Sequence, residues 1–207
     1  MLAKSPFSEI ELQLPKPKTL PRSLARDDAV KLADQAWRKL AADTLEGRQV
    51  AIAVLLLLSV GLRVGELVQL RPLDFDAQDG GLHVRGKGRR ERKVPVIDVR
   101  LRAQLAKLID LNAEAIFEAN GRPWSTQLFR QLLRTFAKHA GILRRVTPHM
   151  LRHTSATLLL EDGVDILFLQ KLLGHENIAT TALYAHVADA SLKKALQQAR
   201  LLDKLVA

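Results

Sequence analysis

His149 and Arg152 stand three apart in the run His149-Met150-Leu151-Arg152-His153. Leu173-Gly174-His175 follows, and nine residues beyond His175 comes Tyr184, the only tyrosine in the chain. Upstream are Arg63 and Lys87. These residue types suit attack on a phosphate ester. Such chemistry needs a hydroxyl in line with the phosphorus, which a tyrosine supplies. It needs cations on the equatorial oxygens, a preorganised electrostatic contribution that is often the largest in such sites. It also needs an acid for the leaving oxygen and a group to ease proton loss from the nucleophile. Arginine suits the cationic role because its planar fork grips two phosphate oxygens and keeps its charge.

The elements that must position these residues are mostly helical. Arg26 to Leu40 has apolar residues at helical spacing, with Asp27 and Asp28 in a first turn. Gln49 to Val60 is apolar nearly all round, as a helix buried in a core must be. Gly61 interrupts it, and Arg63 to Leu70 reads as a short helix ended by Pro72. Residues 82–97 change period: Leu82, Val84, Val94 and Val96 alternate around Gly86-Lys87-Gly88, a small strand–turn–strand. Helical spacing returns over Leu101 to Phe117, Thr126 to His139, His149 to Leu160, Ile166 to Leu173 and Ala190 to Leu205. Pro148 fits a helix start. Residues 1–22, punctuated by Pro6, Pro15, Pro17 and Pro21, read as an extended linker-like tail. The expected fold is mainly α with a small antiparallel β-sheet (α+β).

Composition narrows the partner. Lys plus Arg is 32 against 22 for Asp plus Glu, a formal charge of +10 over 207 residues, which favours a polyanion. Cysteine is absent, which excludes disulfides and thiolate metal sites. The apolar run Val50 to Leu62 is 13 residues, short of the ~20 of a spanning helix, and no secretory leader opens the chain. A cytoplasmic location without membrane is expected.

Each motif also has an ordinary reading. His149 and His153 share a helical face at metal-pair spacing, but no Glu follows His149 as a zinc-protease helix requires; His153 is assigned to structure or to support of the catalytic side chains, rather than to catalysis. Gly81 through Gly86-Lys87 nearly spells a phosphate-binding loop, but Gly88 stands where Ser or Thr is needed. Arg85 to Lys93, with six bases and one acid, reads by itself as a solvated loop. By residue type alone, Arg63 could equally be a satisfied core arginine.

Taken in order, the set resembles the tyrosine recombinase (phage integrase) family over residues 23–207. Gly61-Leu62-Arg63-Val64-Gly65-Glu66-Leu67 matches the first-arginine motif, and Glu66 takes the supporting acidic position. Gly86-Lys87-Gly88 through Val94-Pro95 is similar to the lysine-bearing hairpin. His149 and Arg152 match His-x-x-Arg, and His175 matches Leu-Gly-His. The resemblance implies a site-specific recombinase that works without metal or cofactor on double-stranded DNA. Tyr184 would attack the phosphate and leave a 3′-phosphotyrosyl link, while Arg63, Arg152, His149 and His175 hold its oxygens. His149 would also handle the nucleophile's proton, Lys87 would protonate the 5′-oxygen, and Glu66 would buttress its neighbours.

It further implies assembly on DNA, as a tetrameric synapse, through exchange of the 190–205 helix. The family's N-terminal core-binding domain is expected to be absent. Two rival readings share parts of the pattern. A type IB topoisomerase would use the same chemistry alone, and a helix-turn-helix regulator would need the basic surface but not Lys87, His175 and Tyr184 in order.

Overall fold

An apolar segment with no polar face can only sit at the centre of a helical protein, and Leu45–Ser59 does so here as helix α2 in a computed structural model. The structure describes residues 23–41, 44–86, 91–109 and 113–174. Val50 through Leu57 are all buried. The helix is packed by α1 (Arg26–Leu40), α4 (Val99–Leu108), α5 (Thr126–His139) and α6 (Pro148–Glu161). Between α2 and α4 lie the short helix α3 (Val64–Val68), a 3-10 turn Pro72–Asp74, and strands β1 (Phe75–Asp76), β2 (Gly81–Arg85) and β3 (Glu91–Pro95).

The three strands form one antiparallel sheet in the order β1-β2-β3, one strand more than the spacing implied. Phe75 pairs with Leu82, Leu82 with Val94, and Val84 with Arg92. Alternation buries Leu82, Val84 and Val94 on one face. Arg92, two residues before Val94, shares it.

Expected helices recur at α1, α2, α3, α5, α6 and α7 (Ile166–Leu173) with shifts of a few residues at some ends. The starts of α5, α6 and α7 are capped by side chains: Ser125 Oγ accepts from Leu128 N–H, Thr147 Oγ1 from Met150 N–H, and Asp165 Oδ1 from Leu167 N–H. One expectation fails in part. The helix expected over Leu101 to Phe117 stops at Leu108, and Ile109 is already extended. Ala115, Ile116 and Phe117 are consecutive and all buried, which one helical face cannot achieve. Ile116 N–H donates to Leu70 C=O at 2.9 Å, and a second hairpin follows, β4 (Glu118–Ala119) and β5 (Arg122–Pro123). Its turn is Asn120-Gly121 with φ of 52° and 69°, the left-handed pair that a two-residue hairpin turn demands.

Candidate functional site

The last three residues before His175 organise the site. Helix α7 closes on Gly174, whose φ of 64° and ψ of 49° are left-handed and whose N–H donates back to Gln170 C=O at 2.9 Å. A helix end leaves carbonyls without intrahelical donors and carries the negative end of the dipole. Here each of the last three is taken by a different arginine. Arg92 Nε donates to Leu172 C=O at 2.8 Å, Arg152 Nη2 to Leu173 C=O at 2.8 Å, and Arg63 Nη2 to Gly174 C=O at 2.8 Å. The three arise from β3, from α6 and from the residue preceding α3.

Glu66 locks two of them together. Its carboxylate reaches back to the Arg63 backbone N–H at 2.8 Å, as an acid at the third position of a helix can. It also accepts from Arg63 Nη1 at 2.8 Å and from Arg92 Nη1 and Nη2 at 2.9 Å each. The two oxygens thus take four charge-assisted or backbone donors, a full complement for a carboxylate. Burial alone would push the Glu66 carboxyl up. The Arg92 hydrogen bonds, the Arg63 N–H and the Arg92 charge outweigh it and hold the group below its ordinary value. Glu66 is therefore a buried anion, with its side chain 4% exposed.

Arg152 is buried on α6, and its Nη1 donates to Gly61 C=O at 2.6 Å. That bond ties the α2–α3 connection to α6. Arg63 is 38% exposed at its side chain, whereas Arg92 is 15% exposed. Both are held by the same carboxylate, with Arg63 facing solvent and Arg92 behind it. A surface that fixes several guanidinium groups around one carboxylate and one helix end suits a phosphate group.

His149 is exposed in the first turn of α6, one turn ahead of Arg152. His153 is partly buried, and burial, with the charges of His149 and Arg152, pushes its imidazole down to about 4. It is neutral near pH 7, in keeping with a structural role. Among the described residues, no three His, Cys, Asp or Glu side chains are grouped so as to hold a metal ion. Nor, among them, is any helix long and apolar enough to cross a membrane.

Arg63, Glu66 and Arg152, singled out from sequence, thus meet at the end of α7. Lys87, His175 and Tyr184 lie outside the described residues, as do the 1–22 tail and the 190–205 segment. Sequence reasoning missed Arg92, which the charged run from Arg85 to Lys93 had hidden as solvated. The signal was available in the alternation, since a residue two before buried Val94 falls on the core face.

The family model described as "Phage integrase family" matches residues 23–191. The chain belongs to the phage integrase family. It is a tyrosine recombinase, with the fold of the family's catalytic domain. Tyrosine recombinase XerA of Pyrococcus furiosus is 36% identical over 203 residues, which cover 94% of this chain and 68% of that protein. The crystal structure of XerA recombinase is 32% identical with a TM-score of 0.68, covering 90% of this chain and 66% of the other. A lambda integrase dimer bound to a COC′ core site is 25% identical with a TM-score of 0.61, covering 82% and 49%. The chain therefore spans between half and about two thirds of these relatives. Members of the family are the natural frame for the arginine cluster.

Proposed function

We propose that residues 23–207 form a catalytic domain that cuts and rejoins strands of double-stranded DNA at a specific site through a covalent 3′-phosphotyrosyl intermediate. The observation that carries this reading is the convergence of Arg63 and Arg152 on adjacent carbonyls, Gly174 and Leu173, next to His175. In this mechanism, Tyr184 Oη attacks the scissile phosphorus as the bond to the 5′-oxygen breaks. Lys87 gives its proton to that oxygen. His149 accepts the tyrosine's proton, and Arg63, Arg152 and His175 hold the non-bridging oxygens. Rejoining is the reverse: a 5′-hydroxyl attacks phosphorus and tyrosine leaves. The phosphodiester is exchanged for a phosphotyrosyl ester of similar energy, so the cycle calls for no nucleotide.

The charge of +10 supports DNA as the partner. The lambda integrase dimer on its core site supports assembly on DNA. For this chain we extend that to a tetrameric synapse joined by the 190–205 segment, working in the cytosol where its DNA lies. The decisive experiment uses a nicked duplex carrying the site, followed by denaturing electrophoresis. The wild-type protein should leave a denaturant-resistant adduct, and Tyr184→Phe should abolish it while leaving DNA binding. An adduct that survives in the Phe variant would sink the assignment.

A further inference from the structure

Arg92 shares Glu66 with Arg63 and is fastened to the same helix end, two carbonyls before the one that holds Arg63. It grips Glu66 with two parallel bonds at 2.9 Å and caps Leu172 C=O at 2.8 Å. At Gly174, whose carbonyl binds Arg63, a Cβ would come within 3.0 Å of Arg92 Nη1 and 3.2 Å of its Cζ. Arg152's own anchor, Leu173 C=O, lies between the carbonyls held by Arg92 and Arg63. The Arg92 side chain is less exposed than that of Arg63. It stands behind the surface that a phosphate would meet.

We propose that Arg92 is a positioning residue for strand cleavage: it fixes Glu66 and the end of α7 as one rigid frame, and that frame aims Arg63 and Arg152. The inference rests on the reading that these two arginines hold the scissile phosphate. Its physical basis is the geometry of guanidinium. Three donors in one plane span both Glu66 oxygens and a helix carbonyl at once, which a lysine nitrogen cannot do. Without them, Glu66 keeps only Arg63, and Arg63 can follow its carboxylate into new rotamers. Reacting groups misplaced by about 1 Å lose on the order of a hundredfold in rate. Because Arg92 belongs to β3, it also joins the hairpin to the helix end, so the two cannot drift apart.

The test uses the full chain and a nicked duplex bearing the sequence that the wild-type protein selects from a random pool. Arg92→Lys keeps the charge and removes the fork. It should bind this duplex within about twofold of wild type, yet form the covalent adduct on the order of a hundredfold more slowly in single turnover. A bridging 5′-sulfur, which leaves without a proton, should not restore the rate. Glu66→Gln combined with Arg92→Lys should be no slower than the slower single variant, because both break one frame. Should Arg92→Lys not fold, Arg92→Gln, which removes the charge along with the fork, should show the same split between retained binding and lost rate.

Wild-type cleavage by a folded Arg92 variant would overturn the proposal. So would rescue by sulfur, which would place Arg92 behind the leaving-group proton, or a loss of binding as large as the loss of rate. A wild-type protein that forms no adduct on its selected site would instead remove the recombination chemistry itself, and the proposal with it.

Discussion

Glu66 and Arg92 face each other across the α3–β3 junction through two parallel bonds of 2.9 Å, with Glu66 buried and Arg92 less exposed than Arg63. A carboxylate so placed is costly to remove, because two guanidinium groups then lose their shared partner. Glu66→Ala is expected to lower folding stability by about 3–5 kcal/mol, read from urea denaturation at pH 7. Its folded pKa lies below the ordinary carboxylate value, so its contribution is complete above that value and is lost as pH falls through the folded one. A variant as stable as wild type would mean that the pair does not hold this corner.

His153 sets a second, separate pH window. Its imidazole is held near 4 in the fold against about 6.5 in an unfolded chain. The unfolded chain therefore binds the proton first as pH falls. The stability tied to the neutral ring is complete above about 6.5 and is progressively lost down to about 4. Urea midpoints should fall between pH 7 and pH 4.5 in wild type and fall less in His153→Gln. Equal slopes for the two proteins would contradict the depressed value.

Gly174 combines a left-handed backbone with a crowded neighbour. Gly174→Ala should cost about 1–2 kcal/mol from the backbone alone and, through the 3.0 Å approach to Arg92 Nη1, should slow cleavage as well. Gly174→Asn tolerates the left-handed conformation better but still carries a Cβ. It should recover part of the stability and none of the rate. Thermal melts and single-turnover cleavage of the two variants separate these effects.

Lys87 is expected to supply the leaving-group proton. Lys87→Ala should lose cleavage of an ordinary nicked duplex and regain it when sulfur replaces the bridging 5′-oxygen. Failure of sulfur to help would restrict Lys87 to DNA binding. Arg92 variants, run beside it, should show the opposite response to the same substrate.

The legible part of the fold followed from local physics. Apolar periodicity exposed α1, α5 and α6, and the unbroken apolar stretch exposed α2. What was misread depended on distant partners. The segment after Leu108 carries enough apolar residues to suggest a longer helix, yet Ile116 hydrogen-bonds to Leu70 far back in the chain, and that bond belongs to no local pattern. Asn120-Gly121 carries a local turn signal, but the strands it joins, Glu118–Ala119 and Arg122–Pro123, are two residues each and too short to show alternation.

The candidate site divides the same way. Arg63, Glu66 and Arg152 stand in motifs whose spacing is legible. Arg92 lies in a run of charge where composition argues for solvent and only strand alternation argues for the interior. No spacing rule announces that three arginines will share the end of one helix, because that arrangement exists only once α3, β3, α6 and α7 have packed.

The start of the described chain is fastened to α6 as well. Leu24 N–H donates to Thr154 Oγ1 at 2.8 Å, Thr154 Oγ1 donates to Met150 C=O at 2.8 Å, and Arg26 pairs with Glu161 at 2.8 Å. Met150 and Thr154 flank Arg152 on the same helix. One stretch of α6 thus both anchors the first described residues and carries Arg152, so a substitution at Thr154 is expected to disturb the two together.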